Sequence, residues 1–223
     1  MKKVLACLIS GFVLFAQLSV AQKAPAPIGP VAITFGVEHA GLLPPVWGLE
    51  VAASGKGRYY ERDTKDDTEP SSNRWSDISI SPATMTVLQA GESKITDHCE
   101  TKAKHIAYTG KKTLNYWHGG SPYGCTFNYS DDEALNAAAN AFQAIAETIR
   151  MGEKLKHNLR FDRLGLDAEM DALVEEVRSG NAIEIQNIAP LLQTLVDDER
   201  VMERVKRKAG HLLEGAGIPI KTS

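Results

Sequence analysis

Cys99 and Cys125 bracket a stretch that also holds His105 and His118, with His98 directly before it. Thiols and imidazoles bind transition metals, act as nucleophiles or general bases and, for paired cysteines, close a disulfide. The spacing narrows that choice. His98, Cys99, His105, His118 and Cys125 match no compact zinc signature. Cys7 lies inside an N-terminal apolar run, so Cys99 and Cys125 are the two cysteines left once that run is removed. An even pair in an exported chain reads first as a disulfide. Metal ligation with His98, His105 and His118 comes second, and free nucleophilic thiols third. Closing a loop of this length stabilises a fold by about 3 kcal/mol.

Other patterns fail on their own terms. Ser54-Gly55-Lys56-Gly57 has no glycine five residues before Gly55 and no Ser or Thr after Lys56, so it is a turn and not a phosphate loop. Gly119-Gly120-Ser121-Pro122-Tyr123 carries Tyr123 where a nucleophile elbow needs glycine. No His-Glu-x-x-His and no dinucleotide loop occur, and no cofactor is implied. Aromatic residues offer a binding face instead: Tyr116, Trp117 and Tyr123 are the candidates, although aromatics in a small sheet are more often core.

The elements that must position these groups follow from the pattern of the chain. Lys2 and Lys3 precede an apolar run from Val4 to Val20, and Ser19-Val20-Ala21 suits a signal peptidase. Residues 1–21 therefore read as a signal peptide and 22–30 as a proline-rich lead-in, which places the protein in the periplasm or outside the cell. Cleavage takes Lys2 and Lys3 from 25 basic residues and none of the 28 acidic ones, moving the net charge from −3 to −5. Such a chain has no general pull toward nucleic acid, and no membrane segment remains after cleavage.

Residues 31–130 read as a β-rich domain. Val31 to Val37 alternates as a half-buried strand should, and Gly41 with Pro44-Pro45 forms a loop. Val46 to Val51 and Gly57 to Glu61 form a hairpin. Arg62 to Arg74 reads as an exposed loop, and Ser81-Pro82 opens a helix that ends at Gly91. Two strands are expected around a Thr109-Gly110-Lys111-Lys112 turn, with Ile106 and Tyr108 sharing a face. A third strand is expected to open at Cys125.

The remainder is helical. Ser130-Asp131-Asp132-Glu133 has the form of a capping box, and Leu135, Ala138, Phe142, Ile145 and Ile149 make one stripe of a long covering helix over 131–158. Residues 164–215 continue with a helix from Leu166-Asp167 to Gly180, then a helical hairpin capped at Asn187 and turned at Asp197-Asp198. The cluster Arg204, Lys206, Arg207 and Lys208 suits the end of a helix. The fold class is α+β: a small antiparallel sheet with a covering helix, then an all-α C-terminal part.

The stretch 31–130, with a strand, the loop at His39-Ala40-Gly41-Leu42, a hairpin, a helix after Ser81-Pro82 and further strands, resembles the emfourin type, small secreted β-rich inhibitors of thermolysin-like proteases. The family shows paired glycines in that loop, and here Gly41 stands alone. The resemblance implies a protein partner met through the loop. The whole layout is similar to uncharacterised exported bacterial proteins, which carries no activity. The expected function is a non-enzymatic protein-interaction module of the cell envelope, inhibitor-like in character. The alternative is a periplasmic enzyme or metal protein using His98, His105 and His118.

Overall fold

The computed structural model describes residues 29–62, 73–96, 98–118 and 120–220. The signal-peptide and most of the lead-in assignments fall outside them. Six strands form one antiparallel sheet: β1 (Val31–Glu38), β2 (Val46–Ala52), β3 (Lys56–Arg62), β4 (Asn73–Ser79), β5 (Lys111–His118) and β6 (Ser121–Phe127). Their order is β4-β3-β2-β1-β5-β6. Alternation dictates which side is covered. Ile33, Phe35 and Val37 of β1 are buried with Leu114 and Tyr116 of β5, while Thr34 and Asn115 pair on the other face.

Helix α1 (Pro82–Ala90) and the long α2 (Glu133–Phe161) lie against the buried face. The stripe Leu135, Ala138, Phe142, Ile145 and Ile149 is buried as its spacing requires, with Phe142 stacked on Phe35 at 4.9 Å. Past Ile149 the same helix enters a second core. Met151 and Leu155 pack there with α3 (Leu166–Ser179), α4 (Ala189–Asp197) and α5 (Glu203–Gly215). One helix thus serves both cores. The α4–α5 pair forms the expected hairpin, with Val201, Val205, Ala209 and Leu212 buried. Arg204 and Lys208 pair with Asp167, and Lys206 with Glu203, so these three cations of the basic cluster have acidic partners.

Several local expectations give way to tertiary contacts. Residues 98–110 form no strand; Lys111 and Lys112 already belong to β5. The backbone of 107–109 bonds to the Asn128 side chain, which replaces a ladder, and Ile106 and Tyr108 are exposed. The strand read as opening at Cys125 begins at Ser121. Pro122 is tolerated because β6 is an edge, where a missing N–H costs no ladder bond. The loop assigned to Arg62–Arg74 takes in the start of β4, which pairs along β3 through Asn73. The cap of α2 is Asp132, whose Oδ1 accepts from Ala134 N and Leu135 N; Ser130 instead accepts from Asp132 N. Asn187 caps no helix: its Oδ1 accepts from Ser79 N at 2.7 Å, beside Gln186, which donates to Ser79 O.

Candidate functional site

Cys99 and Cys125 lie at bonding distance, with their Cα atoms 6.1 Å apart. That separation suits a disulfide, and the bond ties the segment after α1 to β6. The three histidines do not come together. His98 and His105 are exposed on the irregular segment, while His118 ends β5 and meets Glu92, in the 3-10 turn Glu92–Lys94, and Tyr123. Among the described residues, no three His, Cys, Asp or Glu groups converge. The three aromatic candidates also separate. Tyr116 is core, its hydroxyl donating to Leu88 O at 2.6 Å, and burial raises its phenol above the ordinary value. Trp117 points to the opposite face of the sheet, and Tyr123 is exposed beside Glu92.

The feature that stands out from the surface is the β1–β2 loop, 39–45. Leu42 is 55 % exposed and Leu43 94 %, two consecutive large apolar side chains held in water. The loop is braced at its base. His39 N donates to Pro45 O, Leu42 N donates to His39 O, and Gly41 N donates to the His39 ring. The His39 ring lies 5.2 Å from that of Tyr108, whose hydroxyl donates to Glu38 O. Cross-bracing of this kind holds the backbone that carries the two leucines.

Behind the loop sits a polar cushion built on β2, β3 and α2. Arg150 Nε donates to the Tyr59 hydroxyl at 2.9 Å and to Glu61 at 3.3 Å, and its guanidinium lies 4.6 Å over the Trp47 ring. Tyr59 donates to Glu61 at 2.5 Å, and Arg74 holds the other Glu61 oxygen at 2.9 Å. Burial holds the Tyr59 phenol well above its ordinary value, against the opposing charge of Arg150. The groups of this network spend these hydrogen bonds on one another.

Two clefts flank the loop and share Arg150. One, of about 760 Å³, is lined by Leu43, Pro44, Tyr59, Arg74 and Arg150. The other, of about 780 Å³, is lined by Leu42, Trp47, Gln143, Arg150 and Asn181. The leucines thus project between two hollows of mixed lining, with Arg150 and Trp47 at the root of the loop. The sequence marked the loop through Gly41 and Pro44-Pro45 but did not single out Leu42-Leu43. Two leucines in a row between Gly41 and Pro44 were the available signal. No family model matches the chain, and no curated protein matches it.

Proposed function

We propose that this is an exported, non-enzymatic binding protein that presents the 39–45 loop to a protein partner, in the manner of a protease inhibitor. The observation that carries the reading is the exposure of Leu42 and Leu43 on a loop with a hydrogen-bonded base. Adjacent large apolar side chains held out in water on a braced backbone gain by burial in another molecule's pocket. The paired cysteines and the apolar N-terminal run support delivery to an oxidising compartment. The resemblance of 31–130 to emfourin-type inhibitors supports a thermolysin-like protease as the first partner to test.

The experiment compares the protein with a Leu42→Asp/Leu43→Asp variant. Wild type should inhibit a thermolysin-like protease in a saturable manner, and the variant should lose at least about 100-fold in affinity, the loss expected of a central apolar anchor. Circular dichroism should show both proteins equally folded. Equal inhibition by both would remove the loop from the interface. If wild type inhibits no such protease, and the variant captures the same proteins from an envelope extract as wild type, the reading fails.

A further inference from the structure

Three donor atoms of different chemistry meet at the turn end of the β5–β6 hairpin, well away from the 39–45 loop. Glu92 Oε1 accepts from the Tyr123 hydroxyl at 2.5 Å and also contacts His118 Nε2, which is 3.2 Å from the Tyr123 oxygen. The imidazole and phenol rings stack at 5.2 Å, 11° from parallel. Glu92 is brought there by a tight approach: a Cβ at the preceding Gly91 would stand 2.6 Å from the Tyr116 hydroxyl. The side chains of His118 and Glu92 are 70 % and 32 % exposed, and the space around Gly120 in the turn is open, so an ion can arrive from solvent.

We propose that Glu92, His118 and Tyr123 form a binding site for a divalent copper ion. One imidazole nitrogen, one carboxylate oxygen and one phenol oxygen are a mixed N/O set, for which copper has the highest affinity of the first-row divalent ions. Ligands about 2.0–2.2 Å from an ion stand roughly 3 Å from one another. The His118–Tyr123 pair, at 3.2 Å, already has that spacing, and Glu92, at 2.5 Å from the Tyr123 oxygen, must draw back from both to admit the ion. The trio is not needed to hold the hairpin. β5 is laddered to β1 along Ile33–Glu38, and Cys125 ties β6 to Cys99.

Binding replaces the protons now shared inside the trio. Tyr123 releases its phenolic proton to solvent, and the His118 imidazole keeps one proton on Nδ1 while Nε2 ligates. Without an ion, partial burial and the Glu92 carboxylate push the Tyr123 phenol up to about 12. A bound dication reverses the sign of the local field and favours the phenolate.

The test is titration of the full mature protein with copper(II) chloride in a glycine buffer, followed by calorimetry, electron paramagnetic resonance and visible absorption. Wild type should bind one equivalent against glycine, with coupling to a single imidazole nitrogen and a phenolate-to-copper absorption band. His118→Ala should weaken binding by about 100-fold, since loss of a direct ligand costs no less than loss of an outer-shell partner. Tyr123→Phe should remove the band while the melting temperature stays that of wild type. Equal binding by wild type and His118→Ala would place the copper at another histidine or the amino terminus and overturn the proposal. Failure to compete with glycine, or a band that survives Tyr123→Phe, would overturn it too.

Discussion

The Glu184 carboxylate accepts hydrogen bonds from both the backbone amide and the hydroxyl of Ser81, at 2.9 and 2.7 Å, across 103 positions of chain. Glu184 holds a left-handed backbone, φ 61°, to do so. With Gln186 and Asn187 on Ser79, it joins the helical half to the end of β4 and to the cap of α1. An edge strand otherwise exposes unpaired amides and carbonyls, and these side chains cover part of that edge.

Glu184→Gln should cost about 1–3 kcal/mol at pH 7, the range for a lost charge-assisted hydrogen bond in a part-buried site. Burial pushes the Glu184 carboxyl up, but hydrogen bonds from Thr84, Ser81 and Gln186 outweigh it and hold the carboxyl below its ordinary value of 4.5. The folded value is thus lower than the unfolded one. The contribution is present above the unfolded value and is lost as pH falls through the folded value. In urea melts the gap between wild type and variant should shrink on acidification below about pH 4.5. A gap independent of pH would show that the charge of Glu184 is not what Ser81 binds.

Asp132→Ala should cost about 1 kcal/mol by leaving the amides of Ala134 and Leu135 without their acceptor. Restoration by Asp132→Asn or Asp132→Ser, followed by denaturant unfolding, separates capping from charge. If Asp132→Ala melts like wild type, α2 begins elsewhere.

Helix α2 couples the two cores, and one substitution in each should show it. Phe142→Ala removes the ring stacked on Phe35 and should cost about 3–5 kcal/mol. Gly152→Ala places a Cβ 2.5 Å from Ile188 Cγ2 and should cost about 1–3 kcal/mol through overpacking. Both should lower a single calorimetric transition. Two transitions that respond separately would mean that the halves unfold independently.

Non-reducing peptide mapping should recover Cys99 and Cys125 linked, with no free thiol between them. A bond spanning 26 positions should stabilise the fold by about 3 kcal/mol, so reduction should lower the melting temperature. Two titratable thiols in protein isolated from an oxidising compartment would remove the staple.

The chain itself determined the elements whose periodicity is long and consistent. Alternation from Val31 to Val37 and the stripe from Leu135 to Ile149 each repeat often enough to leave one face to bury, so β1 and α2 were legible, as were the helix opened by Ser81-Pro82 and the cysteine pair. Short signals were resolved only by contact. Ile106 and Tyr108 alternate like a strand, yet Asn128, some 20 residues on, supplies the backbone partners that a ladder would have supplied. Ser130 and Asp132 are both competent caps, and their geometry around Ala134 N decided between them. Asn187 had the right chemistry for a cap, but Ser79 took its oxygen. The candidate sites depended on tertiary structure for the same reason. Glu92 lies 26 and 31 positions before His118 and Tyr123 and meets them because the β5–β6 hairpin folds beside the end of α1. Leu42 and Leu43 look like any pair of leucines until the fold leaves them nothing to pack against. Burial and proximity are properties of the whole chain, and no local pattern encodes them.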